Sequence, residues 1–164
     1  MTQQKRVVVA VVILAAITLG VLGIDQWQRS RQALVEPTLA PGSIPIYLNG
    51  RLVAGFQPTD LEQLDKVSFV DAEEGKTQEG WLLRDVILLH LTRAQLKGDY
   101  SITVTSSSRD KSAQVTWAEA DETANYVLFD LSGRGTLKLV SKLERLDTRD
   151  EWVQDVDKIE VQAP

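Results

Sequence analysis

Leu82-Leu83-Arg84-Asp85-Val86-Ile87-Leu88-Leu89-His90-Leu91 is apolar on nearly all sides, broken chiefly at Arg84 and Asp85. A helix with an apolar circumference packs on more than one face, so this stretch predicts a central core helix. Downstream, Tyr100 to Thr105 alternates Tyr, Ile and Val with Ser and Thr, the period of a half-buried strand. Further strands are predicted at Ala113 to Trp117, Tyr126 to Leu131, Leu137 to Val140 and Lys158 to Val161, with a helical turn over Trp117 to Asp121. Upstream, Ile44 to Leu48 and Arg51 to Val53 flank Asn49-Gly50, a pair that tolerates positive φ and suits a two-residue hairpin turn. Thr59 and Glu62 have capping-box spacing for a short helix that turns Leu61 and Leu64 inward. Val67 to Val70 reads as a strand, and acidic, glycine-broken Asp71 to Glu79 as a solvated loop leading into another near Trp81. Some seven short strands and two or three helices, without βαβ regularity or repeats, predict a mixed α+β domain.

Before this domain, Val7 to Ile24 is uncharged, with Thr18 its only polar side chain. As a helix it would span about 27 Å, close to the ~30 Å of bilayer hydrocarbon. It predicts a single transmembrane helix in contact with membrane lipid. The short basic N-terminus, Lys5 and Arg6, predicts a cytoplasmic start, so the C-terminal domain is expected to be extracytoplasmic at the plasma (inner) membrane. A cleaved signal peptide, with Val21-Leu22-Gly23 at its end, is the rival reading. Pro37, Pro41 and Gly42 punctuate the segment that follows, which reads as a tether. The expected organisation is anchor 1–31, linker 32–43 and soluble domain 44–164.

The chain carries 18 basic and 23 acidic residues, with no concentrated basic stripe, which argues against a nucleic-acid partner. It has no cysteine, and therefore no disulfide, thiolate metal ligand, cysteine nucleophile or acylated cysteine. With His90 as the lone histidine, a histidine metal cluster or Ser-His-Asp triad is disfavoured.

The order of elements is more specific than any one of them. Asp60-Leu61 with Leu64; Gly80-Trp81-Leu82-Leu83-Arg84-Asp85-Val86-Ile87; Ile102 to Ser108, then Arg109-Asp110 and Gln114 to Trp117; Gly135-Thr136-Leu137-Lys138-Leu139-Val140; Trp152-Val153; and Asp157 to Val161 follow one another. This succession resembles the molybdopterin-binding domain of the sulfite oxidase family. The resemblance covers roughly Ile44 to Gln162 and implies that family's fold. It also implies a cleft bordered by the loop of Ser107, Arg109 and Asp110 and by a late loop holding Arg149, making these four the candidate cofactor-binding residues. Enzymes of the family hold molybdenum through a cysteine thiolate, so the resemblance implies a fold retained without its redox centre, and no cofactor is expected.

Each candidate has a plainer reading. Ser106-Ser107-Ser108-Arg109-Asp110 is a hydroxyl-rich turn beside an arginine, suited to an anion or to local backbone bonding. Arg149 suits a ligand phosphate or carboxylate, or a surface salt bridge with its acidic neighbours. His90 fits a helix end or the core. Asp147, Asp150, Glu151, Asp155 and Asp157 lack the spacing and central glycine of a calcium loop and read as acidic surface. Gly133-Arg134-Gly135 reads as a hairpin turn. The expected function is a membrane-anchored, non-catalytic binding or scaffolding module, an accessory subunit with a protein partner in a membrane complex. The alternatives are a molybdopterin-dependent oxidoreductase or electron-transfer subunit, and an anion or small-ligand sensor.

Overall fold

The computed structural model describes residues 37–164, which form one compact α+β unit. The apolar run at residues 7–24 lies outside the described residues; among those described, no helix is long and apolar enough to cross a membrane. Among the described residues, nine strands make two sheets. The larger comprises β1 (Ile44–Leu48), β2 (Arg51–Phe56), β5 (Ser101–Ser106), β6 (Lys111–Thr116) and β9 (Lys158–Gln162), in the order β2-β1-β9-β5-β6. The smaller comprises β3 (Val67–Val70), β4 (Thr77–Leu82), β7 (Leu128–Leu131) and β8 (Leu137–Val140), in the order β3-β4-β7-β8. Only β1 and β9 pair in parallel; the other pairs are antiparallel.

The Asn49-Gly50 hairpin forms as its sequence predicts, with both residues at positive φ (51° and 76°). Asn49 also ties down β9, since its N–H donates to the Val161 carbonyl (2.8 Å) and its side-chain oxygen accepts from the Ala163 N–H (2.8 Å). Residues 37–43 lie against this hairpin, where Gln57 Nε2 donates to the Pro41 carbonyl at 3.0 Å.

The main core lies between the sheets. Ile46, Ile102, Val104, Ile159 and Val161 of the larger sheet meet Trp81, Phe129, Leu137 and Leu139 of the smaller, with Leu83, Val86 and Ile87 of α1 (Leu83–Leu88) among them. A second cluster, Phe69, Leu82, Leu128, Val140 and Trp152, gathers around the row in which Leu82, Leu128 and Val140 stand side by side. Each such fully buried side chain contributes about 1.5–3 kcal/mol relative to exposure. α2 (Trp117–Asp121) is held by a capping box in which the Glu119 N–H donates to Thr116 Oγ1 and the Thr116 N–H donates to the Glu119 carboxylate. Arg145, 2.6 Å away, and then the Thr116 donors hold the Glu119 pKa down to about 2.

Several local expectations are corrected. The core helix is shorter than the apolar run, because Leu82 pairs with Leu128 as the last residue of β4 and the helix starts at Leu83, whose N–H donates to the Val127 carbonyl. Thr59 is not a cap; Pro58 takes the first position of a 3-10 turn, Pro58–Gln63, moving the cap to Gln57, whose N–H donates to Asp60 at 2.7 Å. Leu61 is buried there as expected. The acidic loop is also shorter, for β4 begins at Thr77 and Asp71 is buried, accepting from the Glu74 N–H and from Gln78 Nε2. The Glu74 N–H foremost, then Gln78, hold the Asp71 carboxyl below its usual range against the opposing effect of burial. β7 starts at Leu128, because Tyr126 turns into the left-handed region at φ 46°.

At Gly80 the neighbouring β7 leaves no room for a side chain, since a Cβ there would collide with the Phe129 carbonyl. Gly80→Ala is expected to lower unfolding free energy by about 3 kcal/mol, while Gly133→Ala, with open space around it, shifts it by less than about 0.5 kcal/mol. Urea unfolding followed by tryptophan fluorescence measures both.

Candidate functional site

Ser107, Arg109 and Asp110 lie in the β5–β6 turn, a single 3-10 turn (Ser107–Arg109) closed by Asp110 at φ 49°. Aspartate is among the residues that tolerate this left-handed geometry. The long connection from β8 to β9 passes beside this turn and binds it at several points. The Ser107 N–H donates to Asp157 Oδ2 at 2.7 Å, Arg109 Nε donates to Asp155 Oδ2 at 2.7 Å, and the Lys111 ammonium donates to the Asp150 carbonyl. Asp155, itself left-handed at φ 56°, also accepts from Thr136 Oγ1 at 2.7 Å, with Arg134 at 3.8 Å. Thr136 first, then Arg109, hold the Asp155 carboxyl below its usual range.

Arg149 belongs to the same connection but points elsewhere. Its guanidinium pairs with Glu74 at 2.8 Å, and its N–H donates to Glu73 at 3.0 Å, fastening the connection to the β3–β4 turn. The structure therefore brings Ser107, Arg109 and Asp110 together and gives Arg149 to a separate contact. A small hollow of about 310 Å³ does lie at the first group, lined by Thr105, Ser106, Ser107, Asp110, Lys111 and Ser112.

The chemistry of this cluster is cohesive. Ser106 Oγ and Ser108 Oγ lie 3.3 Å apart, but among the described residues no general base bonds to either hydroxyl. The nearby carboxylates already accept from Thr136, Arg109 and the Ser107 N–H. Among the described residues, no group of three His, Asp or Glu side chains converges as a metal site. His90 is apart from these loops, just beyond α1; its N–H donates to the Ile87 carbonyl and its exposed ring stacks on Phe56 at 6.3 Å. Contact with the protein lowers its pKa by desolvation, partly offset by Asp60. Trp152 is in the second core cluster, its indole N–H donating to the Leu146 carbonyl.

In the sequence the organising residue, Asp155, stands within a generic acidic stretch. No local signal separates it from Asp150 or Asp157; its role comes from the distant turns that meet it. No protein-family model matches this chain, and no curated protein matches it.

Asp155→Asn removes the charge that holds Arg109 and weakens the acceptor for Thr136. Amide exchange in residues 106–111 and 132–136 is expected to accelerate while the β5–β9 amides keep their protection, as read by hydrogen-exchange mass spectrometry. The folded pKa lies below the ordinary 3.8, so the contribution is complete above pH 3.8 and is lost as pH falls through the lower folded value.

Proposed function

We propose that the chain is a single-pass, membrane-anchored, extracytoplasmic module that binds or scaffolds without catalysis, as an accessory subunit of a membrane complex. The observation that carries the non-catalytic part is the commitment of Arg109 to Asp155 and of Arg149 to Glu74. An incoming anion would have to displace the protein's own carboxylates. The anchoring part rests on the apolar run Val7 to Ile24, whose Gly20 and Gly23 offer small surfaces for helix contact. The two-sheet α+β architecture is compatible with the sulfite oxidase-type fold, the finer reading proposed for residues 44–164.

A molybdopterin does not fit the residues present. This chain has no thiolate to ligate the metal, and Asp155, Asp157 and Glu74 set negative charge around the arginines an anionic pterin would need. A sensor of small anions using Ser107, Arg109 and Arg149 is the second reading; the hollow beside Lys111 favours its Ser107 part, while Arg149 is paired with Glu74.

The full chain, extracted from membranes in mild detergent, is expected to appear in native mass spectrometry with a stoichiometric protein partner. A solitary monomer would count against the accessory role, and stoichiometric molybdenum would overturn the non-catalytic one. A thermal shift with inorganic phosphate that disappears in Arg109→Ala would favour the sensor.

A further inference from the structure

The smaller sheet has a second end, away from its β3–β4 and β7–β8 turns. There β3 and β7 begin and β4 and β8 finish. A cleft of about 770 Å³ opens at that end, within the range of roughly 300–1,000 Å³ typical of small-molecule sites. Leu82, only 4% exposed, and Val67 supply apolar surface, and Tyr126, Arg84 and Lys142 line its polar part.

The polar groups are held in place before any ligand arrives. Arg84 Nε donates to Asp85 at 3.0 Å and Nη1 to the Asp121 carbonyl at 3.2 Å, which leaves Nη2 without a partner among the described residues. Lys142 stands 5.5 Å from the centre of the Tyr126 ring and makes no ion pair among the described residues. The loop beneath them is clamped, since the Lys142 N–H and Ser141 Oγ both donate to the Asn125 carbonyl, and Asn125 Nδ2 donates to the Glu119 carbonyl. Tyr126 is fixed in its left-handed conformation, an arrangement that bulky residues rarely adopt and that is concentrated at ligand sites.

Charge then selects the ligand. Asp85 is neutralised by Arg84. Asp65, the other acid, precedes β3, which lies three strands from β8, or about 14 Å at ~4.8 Å per strand. Across that strand separation Asp65 forms no ion pair with Lys142 among the described residues, which leaves the ammonium for a ligand.

We propose that this cleft binds a small organic monoanion with an apolar body, its carboxylate on Lys142 and Arg84 Nη2 and its apolar part on Leu82, Val67 and the Tyr126 ring. A monoanionic carboxylate matches the single unpaired ammonium of Lys142, since the Arg84 charge is already balanced by Asp85, whereas a dianionic phosphate would bring a second charge with no cation to match it. The site is separate from the Arg109 cluster and independent of anchoring or a partner, so either reading can fail without the other.

Benzoate is the probe, titrated calorimetrically into the full chain in mild detergent against an empty-micelle control. One-to-one saturation is expected, with acetate at least about tenfold weaker for want of an apolar body and benzylamine without binding. Lys142→Gln is expected to weaken benzoate about tenfold, Lys142→Arg to restore it within about threefold, and Ala124→Trp to block the cleft. Both Lys142 changes are at an exposed residue, and Arg109→Ala should leave the titration unchanged. Absence of benzoate binding, equal affinity for acetate, saturation by benzylamine, tighter binding of phenyl phosphate, or benzoate affinity unaffected by Lys142→Gln and Ala124→Trp would each overturn the proposal.

Discussion

Trp81 and Leu82 are neighbours in β4 and face opposite ways, and each belongs to a different apolar cluster. Successive side chains of a strand point to opposite faces, so a sheet with water on one side needs apolar residues only at alternate positions. Here the smaller sheet is covered on both, and its strands carry consecutive apolar residues: Trp81-Leu82, Leu128-Phe129 and Leu139-Val140. Everything else is arranged around that double burial. The larger sheet and α1 cover one face, and Trp152, carried on the β8–β9 connection, packs against the other.

The same feature explains how far the sequence could be read. Strands with one wet face, such as β5, were legible from alternation, and Asn49-Gly50 announced its hairpin by conformational preference. The run Leu82 to Leu91 was ambiguous because an apolar stretch suits a doubly buried strand end as well as a buried helix, and only the pairing of Leu82 with Leu128 decides where one stops. Asp71 looked like a loop acid because its burial depends on Gln78, and Asp155 looked like surface because Thr136 and Arg109 reach it from other parts of the chain. Of the four residues singled out for the candidate site, Ser107, Arg109 and Asp110 share the β5–β6 turn; Arg149, on the late β8–β9 connection that binds this turn, sends its charge to Glu74.

The loop cluster and the cleft differ in how their charge is used. At the cluster, partly exposed ion pairs are closed on one another, and such pairs contribute more to the shape of turns than to stability. At the cleft, a positive group is held next to apolar surface without a carboxylate of its own. Arginine in the first case is a fastener, whereas lysine in the second is an open contact with a fixed backbone beneath it.

β9 occupies the centre of the larger sheet, paired with β1 on one side and β5 on the other. Ile46 meets Ile159 across more than two thirds of the chain, so neither outer hairpin, β1–β2 or β5–β6, can join the other until residues 158–162 have been synthesised. Long-range pairing of this kind is slow. Without residues 158–162 the two halves of that sheet are separate hairpins with unpaired edges, and β9 is the wedge that turns them into one surface.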